Sequence, residues 1–359
     1  EHVPDGEPRV FEDPDNPGMM RSKIFHANEI IDGAEWQQKV NLENNISNSG
    51  AYSESLRYMW AAYSRVASSS KFYSNCMNDN WFINTKLPLI FEFGVQTQTA
   101  PYTYANGNVS SPSHGDTTIT EGAQGMAMLA QYAPEVEEVN PTLATMMLET
   151  WERAGSPVRC DTEGVPLTVF FLPLDTSNKN NIPFTLTSTD YYHEYSPIMY
   201  RNNVGRNNET LAVGISATRD MAHGHEDQGS FTLFKNGAYL VIDTSVENYW
   251  DTASKSIYLS SSNHACFTFY NTSASEPVRE INLDDNANNM SNHMQTVDVA
   301  NASGVSDLIY SSFNDSVDKT VTRIEVQGAG GGGEHYRHFA MLKNGMDSIV
   351  IWDQVKDNS

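Results

Sequence analysis

The chain has 359 residues, 39% of them hydrophobic, with 17 Tyr and 15 Phe, enough for two domains with sizeable cores and too much for a disordered chain. Its formal net charge of −23 argues against a nucleic-acid partner, because phosphate binding needs a basic footprint; a polyanionic substrate would need a locally basic cleft. No apolar run reaches the ~18–20 residues of a membrane span, and no signal peptide stands at the start, where Glu1 does not look like a natural beginning.

Residues 1–15 are acidic and Pro-rich, without periodicity, and read as loop. From Asn16 to about Asn45 the apolar spacing predicts helix, with Met20, Ile24, Ala27 and Ile31 at three- and four-residue steps. Residues 32–36 read as a short break, after which a second helix carries Val40, Leu42 and Ile46. Residues 47–50 form a turn, and another helix runs from Ser53 to about Ser69. Residues 71–92 suit one more helix. The polar stretch 95–120 reads as a long loop, which in a compact domain is usually functional. Residues 121–153 return to helix, carrying Met126, Leu129, Ala130, Leu143, Met146 and Met147.

The composition shifts near Gly155. Short runs follow at 167–172, 198–201, 211–216, 231–234, 239–243, 265–270, 320–326, 338–342 and 348–352, largely β-branched or aromatic and separated by Asn/Ser/Asp/Gly clusters. That pattern predicts a large antiparallel sheet or sandwich. Residues 275–318 are polar and acidic and read as an insertion or long connection. The Gly-rich stretch 328–333 lacks the strand–helix context of a phosphate loop and has no nucleotide role. Cys76, Cys160 and Cys266 lack metal-type spacing, and their odd number implies at least one free thiol; their disulfide state stays open.

The richest stretch is 223–243. His223 and His225 are two residues apart, so a strand would project both to one face. Lys235-Asn236-Gly237 predicts a type I′ hairpin, because Asn-Gly supplies two positive-φ positions. The hairpin would return Asp243 beside the histidines, and His264 follows at the start of the next strand-like run. Imidazole nitrogens and a carboxylate converging in this way suit a divalent metal such as zinc. Two polar residues on a solvated face, with a surface histidine at a strand edge, remain the simpler alternative. Tyr58 shares a helix face with Glu54 but also suits a core tyrosine with a satisfied hydroxyl. Asn16 suits a helix cap or turn, and His114 a loop.

The stretch 223–243 resembles the heparinase II/III family of polysaccharide lyases, which carries a similar His-x-His-x-Asp-x-x-Ser-Phe block and a hairpin to a metal-binding Asp. Other pieces agree in order. Residues 50–58 resemble the helix with the family's catalytic tyrosine, and 113–116 its Gly-Asp loop. Residues 262–265 resemble the strand with the third metal ligand, and 336–339 with 349–355 a late strand pair. The resemblance implies a partial (α/α) toroid over residues 1–155 and a large antiparallel β-sandwich over 156–359, with the cleft between them. The chain begins late and stops early for the family, as a fragment or a short member would. Asn16 is followed by Pro17 where the family carries His, and its spacing to Tyr58 is shorter than usual.

The resemblance implies β-elimination on a uronic-acid polysaccharide: alginate, heparan-like, chondroitin-like or ulvan-like. Its implied catalytic residues are Tyr58, His223 and Asn16. Its metal ligands are His225, Asp243 and His264, holding a structural zinc or another divalent ion. Arg57, His114, Arg219 and Arg337 are the substrate-binding candidates, although each arginine also suits an ordinary surface pairing. The expected location is periplasmic or secreted, and the oligomeric state, a homo-oligomer included, stays open. A uronyl C5-epimerase on the same architecture and a non-catalytic carbohydrate-binding fragment are the alternatives.

Overall fold

The computed structural model describes residues 8–12, 20–24, 27–48, 50–52, 56–77, 79–101, 107–112, 125–157, 189–191, 197–202, 210–215, 230–243, 265, 319–327, 334–342 and 348–356. The chain divides into two units, Glu1–Asn45 and Ile46–Ser359.

In the first unit, β1 (Pro8–Glu12) and β2 (Met20–Ile24) form an antiparallel pair, with Pro8 opposite Ile24 and Val10 opposite Ser22. This replaces the loop and helix expected there. The four-residue step from Met20 to Ile24 is also a multiple of two, so it marks one face of a strand as well as of a helix. The helix α1 (Ala27–Asn45) then runs without the expected break at 32–36. Gly33 costs about 1 kcal/mol against alanine but keeps its N–H, so it weakens a helix without ending it. Lys39 pairs with Glu35 one turn earlier.

The second unit opens with a tight turn. Gly50 adopts φ +90°, its N–H bonds to the Ser47 carbonyl, and an isolated bridge joins Ile46 to Tyr52. The helix α2 (Leu56–Met77) is longer than the predicted 53–69. The run Ser68-Ser69-Ser70 does not stop it. Each hydroxyl donates to the carbonyl four residues back, on Ser64, Arg65 and Val66, so the side chains follow the helix instead of competing with it.

The segment 71–92 is not one helix. It holds the end of α2, then α3 (Trp81–Asn84) and the start of α4 (Leu87–Gln96). The Asn80 side chain accepts from the Phe82 N–H and restarts the chain, and a proline stands in the first turn of α4. The span 121–153 likewise contains two helices, α5 (Ala127–Glu137) and α6 (Pro141–Arg153), with Asn140 capping the second through the Leu143 N–H.

Trp60 stands at the centre of this packing. It is 2% exposed, and a Cβ built on Gly94 or Gly125 would fall 2.3 or 2.1 Å from its indole. The two glycines are therefore the space the ring occupies. Phe82, Phe91 and Tyr132 form a further ring cluster, and the Tyr132 hydroxyl lies 2.8 Å from Ser68 Oγ, joining α5 to α2. The described ends of the 95–120 loop are buried and pinched together: the Thr99 N–H meets the Ser110 carbonyl, and Thr99 Oγ1 accepts from the Ser110 N–H.

Antiparallel strands follow. A five-stranded sheet has the order β3 (Thr189–Tyr191), β4 (Pro197–Asn202), β5 (Thr210–Ile215), β6 (Phe231–Lys235) and β7 (Ala238–Val241). A three-stranded sheet places β9 (Glu334–Leu342) between β8 (Lys319–Gln327) and β10 (Ser348–Lys356). The Phe231 and Phe339 rings meet edge to face, 5.7 Å apart, and join the two sheets. Seven of the nine expected runs fall on these strands, the 239–243 run leaving its strand after Val241. The run 167–172 lies outside the described residues, as does 265–270 apart from Ala265, which is in a turn. The stretches 275–318 and 328–333 also lie outside them.

Arg201 ties the strands to the helices. It is 1% exposed, and its guanidinium donates to the carbonyls of Gln96 and Gln98 at the end of α4. A cation at this position satisfies carbonyls that a helix leaves open and meets the negative end of its dipole.

Candidate functional site

The predicted hairpin is present. Asn236 and Gly237 adopt φ 52° and 78°, the two positive-φ residues of a type I′ turn. Phe234 faces Tyr239 and Leu233 faces Val241, so the pairing shifts by one residue at a bulge that leaves Leu240 extra and 60% exposed. Beyond the strand Asp243 is fully buried, its Oδ2 3.5 Å from the Oγ of Ser230, itself fully buried.

That burial is the observation relevant to a metal. A carboxylate withdrawn from water needs a cation or several donors to remain charged. An oxygen ligand of this kind is one that zinc or another divalent ion accepts. His225 and His264, the other two donors, lie outside the described residues, as does His223. Among the described residues, no group of three His, Cys, Asp or Glu is gathered.

Tyr58 is half-buried on the first turn of α2, in a helix fixed by Trp60 two residues later. The Arg57 guanidinium lies over the Tyr58 ring, 5.7 Å from its centroid, within cation–π range. Both are nominated residues, and among the described residues they are in contact. Glu54, expected on the Tyr58 face, lies outside the described residues, as do Asn16, His114 and Arg219.

Arg337 lies on β9 and is 7% exposed. Its Nε and Nη2 donate to the two carboxylate oxygens of Asp353 on β10, at 2.8 and 3.0 Å, and its Nη1 donates to the Ala265 carbonyl. The β9–β10 register places Arg337 opposite Asp353. Ser230 and Asp353 are therefore site neighbours that the sequence did not nominate. Asp353 could have been found from strand pairing: it falls opposite Arg337 once 336–342 and 348–354 are aligned as a hairpin. Ser230 immediately precedes β6, at the open end of the hairpin beside Asp243.

Cys76 is exposed and free, whereas Cys160 and Cys266 lie outside the described residues. Among the described residues, no helix is long and apolar enough to cross a membrane.

No protein-family model matches the sequence, and no curated protein does. Solved structures do match. A crystal structure of heparinase III aligns over 93% of this chain and 44% of its own, with a TM-score of 0.62 and 14% identity. The heparan sulfate lyase HepC from Pedobacter heparinus aligns over 91% of this chain and 43% of its own, with a TM-score of 0.59 and 13% identity. This chain thus spans about two fifths of the length of the structures it matches. Its helices followed by antiparallel sheets have the fold of the heparinase III and heparan sulfate lyase structures, a polysaccharide-lyase fold.

Proposed function

We propose that the chain is a polysaccharide lyase that cleaves a uronic-acid polysaccharide by β-elimination. The observation that carries this reading is the fold likeness to heparinase III and heparan sulfate lyase over nine tenths of the chain. The finer architecture proposed with it is a partial (α/α) toroid over residues 1–155 and an antiparallel β-sandwich over 156–359. Heparan sulfate is the first substrate to test, and a periplasmic or secreted location would suit it.

In the reaction a base takes the proton from C5 of the uronate. That electron pair forms the C4–C5 double bond, and the C4–O bond breaks with its pair leaving on the glycosidic oxygen. The C5 proton is very weakly acidic while the neighbouring carboxylate carries full charge, so a donor must hold that carboxylate. Asn16 takes this role. His223 is the base, and Tyr58 protonates the leaving oxygen, serving also as base for one substrate configuration. A tyrosine used as a base needs positive charge nearby, and the Arg57 guanidinium over its ring supplies it. Arg57 and Arg219, with His114, provide the local field that attracts a polyanion to a chain of net charge −23.

His225, Asp243 and His264 would hold a structural zinc. Bound there, the ion fastens the strands that present His223.

The test is incubation with a panel of uronic polysaccharides, heparan sulfate first. A lyase yields a C4–C5 unsaturated uronate and rising ultraviolet absorbance, which Tyr58→Phe should reduce at least 100-fold, the scale of a general acid–base contribution. Solvent deuterium entering the polymer without cleavage would replace the lyase reading with an epimerase. Retention on a polysaccharide column without turnover would replace it with a binding module.

A further inference from the structure

We propose that Trp352, with Val350 and Gln354 beside it, is a carbohydrate-binding surface that takes one pyranose ring of a polysaccharide. It is separate from the residues assigned to catalysis and does not depend on them, because a surface can hold a polymer whether or not another site cuts it. Side chains alternate along a strand, so β9 sends His338 to one face of its sheet and Phe339 to the other. Phe339 is buried and meets Phe231 of β6, so its face is the one turned toward the five-stranded sheet. His338 and its register partner Trp352 therefore stand on the outer face. There the two rings stack, 4.6 Å apart with their planes 3° from parallel. The stack holds the indole by one side. β10 is the edge strand of its sheet, and among the described strands none pairs with its outer edge. Trp352 is 42% exposed and Val350 46%, and Gln354, two residues further on the same face, is exposed as well.

The area decides what this surface takes. With ~250 Å² for a whole indole side chain, Trp352 leaves about 100 Å² in solvent. A stable protein partner covers roughly 800 Å² on each side, and Trp352 and Val350 together fall far short of that. The patch matches one sugar ring, whose C–H face is apolar and whose rim of hydroxyls is polar. The C–H face lies on the indole, and the hydroxyl rim reaches the Gln354 amide, which both donates and accepts. The stack with His338 already fixes the indole, so little rotamer freedom is lost on binding. Val350, Trp352 and Gln354 carry no charge, so the sugar is held by its ring and not by acidic groups.

The experiment is affinity electrophoresis of the whole chain in native gels holding heparan sulfate or the uncharged polymer hydroxyethylcellulose, read against a gel without polymer. Wild type should be retarded by both. Trp352→Ala should bind hydroxyethylcellulose about 10-fold or more weakly, the scale set by about 100 Å² of apolar area left uncovered. Trp352→Phe should keep part of the affinity. His338→Ala, which frees the indole without removing it, should lose less than Trp352→Ala. Urea unfolding checks that each variant is folded; should Trp352→Ala not fold, Trp352→Phe carries the test. No retardation of wild type by either polymer, or equal retardation of wild type and the folded Trp352 variants, would overturn the proposal. A wild-type dimer in sedimentation that Trp352→Ala dissolves would overturn it too, and make this face a contact between copies of the chain. Unsaturated product is followed separately by its ultraviolet absorbance. Wild-type cleavage by a Trp352→Ala that has lost polymer binding would support two separate sites.

Discussion

The helices α2–α6 and the strands that follow them are held by different forces. Among the described residues, the buried polar side chains between Ile46 and Arg153 are all neutral: Ser, Thr and Gln. The buried charged residues, Arg201, Asp243 and Arg337, all lie on or just beyond strands. The helices rely on shape, as where Trp60 fills the gap left by Gly94 and Gly125. The strands rely on ions placed out of water, whose stability depends on each partner remaining in place. A neutral, close-packed body is a support. Tyr58 lies on the first turn of α2 in the first region, and Asp243 just beyond β7 in the second.

Substitutions at three positions sharpen this contrast. The largest effect should come from Trp60→Ala, which empties the space between the two glycines. It should cost about 3–5 kcal/mol, read as a lower urea midpoint with unchanged slope. A loss under about 1 kcal/mol would mean that shape does not hold the helical region. Arg201→Met should come next, at about 2–3 kcal/mol, because it leaves the Gln96 and Gln98 carbonyls buried without that donor. Arg201→Lys should recover part of the loss; full recovery would show that charge alone suffices and the fork does not matter. The smallest effect has the opposite sign. Gly33→Ala lies in α1, where an added Cβ meets nothing within 4 Å, and should raise stability by about 0.5–1 kcal/mol in thermal unfolding.

What was legible in the sequence was local. Asn236-Gly237 announces its turn because the positive φ values are a property of those two residues. The strand runs around it follow from β-branched and aromatic composition. Errors arose where one pattern serves two structures. Met20 and Ile24 satisfy a strand as well as a helix, and three serines in a row resemble a helix end unless their hydroxyls bond backward. The resemblance to heparinase II/III lyases matched the fold, because a few short blocks in order constrain an architecture strongly. The work of Arg201 and Arg337 was not legible. Their backbone acceptors lie 103 or more and 72 residues away, and no spacing rule connects a guanidinium to a carbonyl at that distance. Both are buried, and both are bonded to the protein's own backbone.

Trp60 carries a consequence for how this sequence can drift. While the indole remains, positions 94 and 125 cannot accept even a methyl group, since each would overlap the ring. A change at either glycine becomes tolerable only after the tryptophan has been exchanged for something smaller, and that first exchange opens a void. The three positions are thus locked in order of substitution. Among homologues they should vary as a set, with bulk appearing at 94 or 125 only where it has left 60. The residue two places before Trp60 is Tyr58, so the same lock that restricts drift also holds the turn of helix bearing the proposed acid.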